Sequence, residues 1–148
     1  QLKAAMEAGG PEAALPVCKS AAMPLTEGVT GRHEGLTITR VTDRLRNPEN
    51  TPDKADLRAL KHFENAQAKP KLLAHLTTGA DGKTLRYYRP LFINETCLKC
   101  HGEREAMSEK LRGLLDQFYP DDKAHGYKLG ELRGLIRVEQ VPVADRPD

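Results

Sequence analysis

Tryptophan is absent from the 148 residues, and aromatic side chains make up only 5% of them. A core this short of rings leaves room for a large cofactor to complete it. No apolar run approaches the roughly 18 residues of a membrane-spanning helix, so none is expected within this sequence. Neither sign of charge dominates: 23 Lys and Arg face 21 Asp and Glu, for a net charge of +2. Without an excess or a basic cluster, nucleic acid is not an expected partner. Cysteine is scarce and odd in number, with three residues, Cys18, Cys97 and Cys100, which argues against a self-contained disulfide framework. No signal peptide is visible, and the first residue is Gln1 rather than Met. A targeting segment is therefore expected to have been removed, and any membrane attachment to belong to an anchor outside this sequence. What remains is a polar chain, 39% hydrophobic and 30% charged, able to bury one core. Its length suits a single domain over 1–148, with the core at about 14–143.

Two of the three cysteines stand in Cys97-Leu98-Lys99-Cys100-His101, the attachment sequence of c-type haem. The chemistry requires this spacing. Two thiols add across the two vinyl groups of a porphyrin, and the adjacent His faces the iron. Attachment of this kind takes place outside the cytoplasm, so the motif also predicts a periplasmic, exported domain. A structural zinc site wants four ligands, usually two such pairs, and no second Cys pair is present. A thioredoxin-like pair wants a following helix, and His101-Gly102 is a poor helix start. One covalent haem c is thus the expected cofactor, held by Cys97 and Cys100 with His101 as proximal ligand.

Along the chain, Leu2, Ala5 and Met6 suggest a short helix before the break at Gly9-Gly10-Pro11. Ala14, Cys18, Ala21, Ala22 and Leu25 then fall on one helical face, with Pro16 and Pro24 interrupting. Leu36 to Val41 alternates as a strand. Asn47 to Pro52 reads as a turn leading into a helix with Thr51 as N-cap, Leu57, Leu60, Phe63 and Ala66 as its buried stripe, and Pro70 ending it. A β-hairpin is expected from 71–77 and 83–93 around Gly79-Ala80-Asp81-Gly82, followed by the haem motif on a loop. Met107, Leu111, Leu114, Leu115 and Phe118 mark a helix, and Leu132 to Val143 a final strand before a solvated tail. The order of elements predicts an α+β domain, an antiparallel sheet with helices packed on it.

Several stretches occur in a fixed order: Arg44-Leu45-Arg46-Asn47-Pro48-Glu49-Asn50-Thr51-Pro52, Tyr87-Tyr88-Arg89-Pro90-Leu91, the Cys97–Gly102 motif, Tyr119-Pro120-Asp121-Asp122-Lys123-Ala124-His125-Gly126-Tyr127, and Gly130-Glu131-Leu132-Arg133-Gly134. The series resembles a family of single-haem c-type domains with a PAS-like fold, found in bacterial sensor proteins and as small stand-alone cytochromes. The resemblance runs from about Ala14 to Val143, with Glu131 standing where Asp is expected. It implies a PAS-like sheet flanked by helices. It also implies an iron held by the motif His and by a Cys of the N-terminal helix, here His101 and Cys18.

From periodicity alone, Cys18 reads as a small buried hydrophobe. With a haem present and the resemblance in hand, ligation is favoured, the small residues Ala14, Ala21 and Ala22 letting a macrocycle approach the helix. Met23 and Met107 are the His/Met alternatives, His125 a His/His one, and an open sixth site the last; Met107 reads more as packing. Around the haem, Arg46, with Arg40 and Arg44, is a candidate for the propionates. Tyr88 (or Tyr87), Pro90 and Leu91 are candidates for the pocket wall. Arg133, between two glycines, reads equally as a turn residue.

Two functional classes follow. One is a haem-based redox or gas sensor taking CO or NO; the other is a soluble electron carrier that meets a redox partner protein. Catalysis is not expected, because there is no distal His–Arg arrangement and an iron with two protein ligands does not readily bind substrate.

Overall fold

The molecule is described by a computed structural model, over residues 2–30, 35–66, 75–78 and 84–140; the side chains at 2, 20–30, 66 and 75–78 lie outside the description. The segment Leu36–Val41 is β-branched at four of six positions and forms β1. Two further strands, β2 (His75–Thr78) and β3 (Leu85–Phe92), pair as the two arms of the expected hairpin. The last strand, β4 (Leu132–Gln140), enters between β1 and β3, giving the order β1-β4-β3-β2 with every neighbouring pair antiparallel. The ladder shifts register at Leu91/Phe92, where Arg133 has no opposite residue. The next residue has to be glycine. Gly134 has φ +155°, and a Cβ there would lie 2.6 Å from the Val41 carbonyl oxygen.

Alternation along the strands assigns the two faces. The rows Val41/Leu135/Pro90 and Thr39/Arg137/Tyr88 lie on one face, and the rows Arg40/Ile136/Arg89 and Ile38/Val138/Tyr87 on the other. Helix α2 (Lys54–Ala66) covers the first face, packing Ala59, Leu60 and Phe63 against Val41, Tyr88 and Leu135. Its start differs from the expected one. Thr51 closes the preceding 3-10 turn by donating its hydroxyl to the Pro48 carbonyl. The cap is Asp53, whose Oδ1 accepts from the amides of Ala55 and Asp56 at 2.8 and 2.9 Å, while the Asp56 carboxylate accepts from the Asp53 amide. This reciprocal capping box out-competes Thr51 because it satisfies three amides at once. Leu57, expected in the buried stripe, is 47% exposed, because Ala55, Asp56, Ala59, Leu60 and Phe63 already fill the inward face. The side chain of Ala66, together with Pro70 and 79–83, lies outside the described residues.

Beneath α2 lies a polar knot that the sequence pattern does not signal. Asp56 is fully buried and accepts from the Tyr88 hydroxyl at 2.7 Å and from Arg137 at 2.7 Å, with Arg86 at 3.4 Å. Arg86 also reaches Asp53 and Glu139, each at 2.6 Å. Burial and the neighbouring Asp56 carboxylate push the Tyr88 phenol well above its ordinary range. Burial also acts to raise the Asp53 carboxyl, but the Asp56 amide and Arg86 outweigh it and hold it low.

The long N-terminal helix, α1 (Leu2–Thr30), is broken at Gly9 and Gly10, as expected, and continues through Pro16. It packs on β1 and on α4 (Glu109–Phe118). Leu15 of α1 joins Met107, Leu111 and Leu115, with Leu114 and Phe118 at the margin. Ser108 caps α4, its hydroxyl accepting from the Leu111 amide at 3.1 Å. Replacing Ser108 by Ala is expected to cost about 1 kcal/mol, read as a lowered denaturant midpoint at unchanged slope. Residues 141–148, including the end of the expected last strand and the tail, lie outside the described residues.

Candidate functional site

The Cys-Leu-Lys-Cys-His motif stands on a helix, not on the expected loop. Asn94 accepts the Cys97 amide at 3.0 Å and so starts α3 (Glu95–His101). The local signal was an Asx cap followed by an acidic residue, Glu95, in the first turn. Helical geometry sets both thiols between two cores. Cys100 packs with Leu15, Met107, Leu111 and Leu115, while Cys97 and Leu98 pack with Ile93, Ala124 and Tyr127. Both thiols are half-buried and free of disulfides.

The stretch Tyr119 to Tyr127 straps α3 in place. The amides of Gly126 and Tyr127 donate to the carbonyls of Gly102 and His101 at 2.7 and 2.9 Å. Gly126 makes that return with φ +69°, a left-handed conformation that favours glycine. The strap also reaches the imidazole: His101 Nδ1 lies 2.7 Å from the Ala124 carbonyl oxygen. A carbonyl only accepts, so Nδ1 carries the proton and the Nε2 lone pair is left free. Burial, joined by the charges of Arg46 and Arg133, pushes the His101 imidazole down to about 3. The ring is therefore neutral at physiological pH, the form that ligates a metal. Tyr127 meets it edge-on, with ring centroids 6.2 Å apart.

Cys18 comes to this place from α1. Burial raises its thiol, and the guanidinium charges of Arg46 and Arg40 act against that rise. The Cys100 thiol is raised by burial and feels the same Arg46 charge, as well as Cys18 itself. Tyr119, raised by burial, feels both Arg46 and Cys18. Cys18, Cys100 and Tyr119 thus all feel the Arg46 charge, and Cys18 also feels Arg40. Arg40 stands on the face of the sheet that α2 leaves uncovered. That face offers Ile38, Val138 and Tyr87 in one row and Leu36 and Leu85 in the next. Tyr87 and Leu85 are each 41% exposed, an apolar wall fit for a flat hydrophobic group.

Two candidates lie elsewhere. Tyr88 and Pro90 stand on the α2 face, and the Tyr88 hydroxyl is committed to Asp56. Leu91, one residue on, pairs with Gly134 and follows the Tyr87–Arg89 face. Alternation allowed either tyrosine, and only the position of α2 decides between them. Arg46 reaches the motif but is already engaged: it makes a forked pair with Asp122 and donates to the carbonyls of Cys100 and Ala124. Arg44 lies over the Tyr127 ring at 3.7 Å and donates to the carbonyls of Lys123 and His125. Arg133 donates to Thr42 Oγ1 and to the Arg44 carbonyl. Met107 is a core residue, as expected. His33 and the side chains of Met23 and His75 lie outside the described residues, while the His125 side chain is half-buried.

The donor set fits a c-type haem. It comprises two adjacent free thiols on one helix, a neutral imidazole with its outer nitrogen free, a third thiol nearby and an apolar wall. No group of three or more metal-ligating side chains of the kind that would hold a bare ion occurs among the described residues.

A family model described as Tll0287-like (Tll0287) matches residues 1–141. Among solved structures, the cyanobacterial haem protein Tll0287 is similar. It is 26% identical, with 87% of this chain and 76% of that chain covered and a TM-score of 0.68. A search of curated proteins gives no match.

Proposed function

The chain belongs to the Tll0287-like family, and on that premise we propose that it carries one haem c, bound through Cys97 and Cys100 with His101 and Cys18 as axial ligands. The single observation that carries this reading is the hydrogen bond from His101 Nδ1 to the Ala124 carbonyl, which aims a free, neutral Nε2 out of the helix bearing both thiols. A bound haem supplies a one-electron Fe(III)/Fe(II) couple. The chain's own part is to fix that couple's position and potential. Cys97 and Cys100 hold the macrocycle by thioether bonds, α3 keeps them at one helical turn, and the strap holds the imidazole in one tautomer. Ile38, Tyr87 and Val138 form an apolar row on the sheet face opposite α2. Cys18 supplies an anionic sulfur in place of the neutral thioether of a His/Met cytochrome, which favours the oxidised iron.

The reading is of a low-potential module that moves electrons to a redox partner protein or reports redox state or a diatomic gas such as CO or NO; it is not an enzyme. The PAS-like architecture belongs to the same reading, supported by an antiparallel sheet with α2 on one face and α1 packed on β1. So does a periplasmic location, since covalent attachment takes place after export. Nucleic acid has no part in it. A membrane enters only through an anchor outside this sequence.

The test is covalency. Protein made in a strain able to mature c-type cytochromes should have an intact mass one haem above the 16.4 kDa chain, and acidified acetone should leave the pigment in the protein. A colourless product, or one that holds zinc at Cys97 and Cys100 instead, sinks the proposal.

A further inference from the structure

We infer that Arg46 and Asp122 form a positioning pair that tunes the iron from behind His101, through the single carbonyl oxygen of Ala124; this rests on the haem reading above. The pair is buried, with side chains 10% and 1% exposed. Arg46 Nε donates to Asp122 Oδ1 at 3.1 Å and Nη2 to Oδ2 at 2.9 Å, a forked geometry that lysine does not reproduce. The same Nη2 donates to the Cys100 carbonyl at 2.7 Å and to the Ala124 carbonyl at 3.2 Å. The Ala124 oxygen is also the acceptor of His101 Nδ1–H at 2.7 Å. Asp122 Oδ1 takes the Ala124 amide at 2.8 Å. One residue, Ala124, is thus held at its amide by the anion and at its carbonyl, the hydrogen-bond partner of the His101 imidazole, by the cation.

The geometry has a definite electronic sign. A carbonyl that accepts Nδ1–H draws the imidazole toward imidazolate and makes it a stronger donor to Fe(III). Arg46 shares that oxygen and withdraws part of its density, so it weakens the pull. Its own positive charge favours the less charged Fe(II) state as well. Both effects of Arg46 raise the reduction potential, and Asp122 opposes them. The arginine expected to clamp a propionate is instead held by Asp122 and by the carbonyls of Cys100 and Ala124, beside the His101 hydrogen bond.

Arg46→Gln should lower the potential and Asp122→Asn should raise it, each by about tenfold in the Fe(III)/Fe(II) equilibrium, about 59 mV for a one-electron couple. Stability does not separate the roles, because breaking a buried pair from either side is destabilising. The signs of the potential shifts do, since a merely structural pair would loosen the strap the same way in both variants. Arg46→Lys keeps the cation and loses the fork, so its potential should fall between those of the wild type and Arg46→Gln. With Asp122→Asn it carries the test if Arg46→Gln does not fold. Resonance Raman spectra of reduced protein should show a higher Fe–His stretching frequency in Arg46→Gln. If the pigment is retained but the two shifts share a sign or vanish, the inference is overturned and the haem reading stands. If the wild type holds no covalent pigment, both fall.

Discussion

Cys18→Ala is expected to leave the haem attached and to raise its reduction potential by a large fraction of the roughly 0.8 V that axial ligands span. Attachment depends on Cys97 and Cys100, which sit on α3 and do not need α1. The potential depends on what faces the iron opposite His101. A thiolate is anionic and stabilises Fe(III) over Fe(II), so its loss favours the reduced state. The surroundings of Cys18 favour such a role. Burial alone keeps its thiol protonated, but Arg46 and Arg40 place two positive charges where a thiolate would form. Reduction takes charge from the iron and weakens its hold on sulfur, so in the wild type CO should bind only the reduced form, and in Cys18→Ala more readily. Cys18→Met separates charge from ligation: it offers a neutral sulfur at the same place, and its potential should rise while the iron stays six-coordinate. An oxidised spectrum and potential unchanged in Cys18→Ala would make Cys18 a packing residue and move attention to His125.

Asp56→Ala is expected to destabilise the fold by about 3–5 kcal/mol, the cost of breaking a buried ionic pair from one side. Asp56 is fully buried and is the shared acceptor for Tyr88, Arg137 and, more distantly, Arg86. Removing it strands Arg137 against the sheet, with Asp53 at 4.0 Å and Glu139 at 3.7 Å as its remaining ionic partners among the described residues. It also opens the capping box at the start of α2. Asp56→Asn retains the shape and one acceptor oxygen and should lose less. Chemical denaturation followed by far-UV circular dichroism measures both. Because the knot lies on the α2 face, the spectrum of any bound haem should stay as in the wild type while the midpoint drops. An Asp56→Ala protein as stable as its parent would show that the arginines find water instead.

The elements that were legible in the sequence are those decided locally. β1 is a run of β-branched alternation, α4 a clean apolar period behind a Ser cap, and the c-type motif a fixed spacing of reactive groups. What was not legible depends on partners far along the chain. Whether Tyr87 or Tyr88 faces the site depends on which side of the sheet α2 takes, and both obey the same alternation. Arg46 read as a free cation because its anion, Asp122, is 76 residues away. Asp56 gives no local sign of its role, since its three cationic and phenolic partners sit on strands formed later in the chain. The motif itself was assigned to a loop; the signal that starts a helix there, Asn94 before Glu95, stands ahead of it.

The placement of β4 bears on the order in which the molecule can be made. The last strand among the described residues is an inner strand of the sheet, and β1 has β4 as its ladder partner, with Leu36 opposite Gln140. Non-local pairing of this kind is slow, since the loop must close before any contact rewards it. Until residue 140 has emerged, β1 and β3 have nothing to bridge them, and the strap has only just followed α3. The cores that flank Cys97 and Cys100 draw on residues no later than Tyr127, so they do not wait for that closure. Topology therefore separates two events: the surroundings of the thiols depend on α1, α3, α4 and the strap, and the finished sheet depends on residue 140.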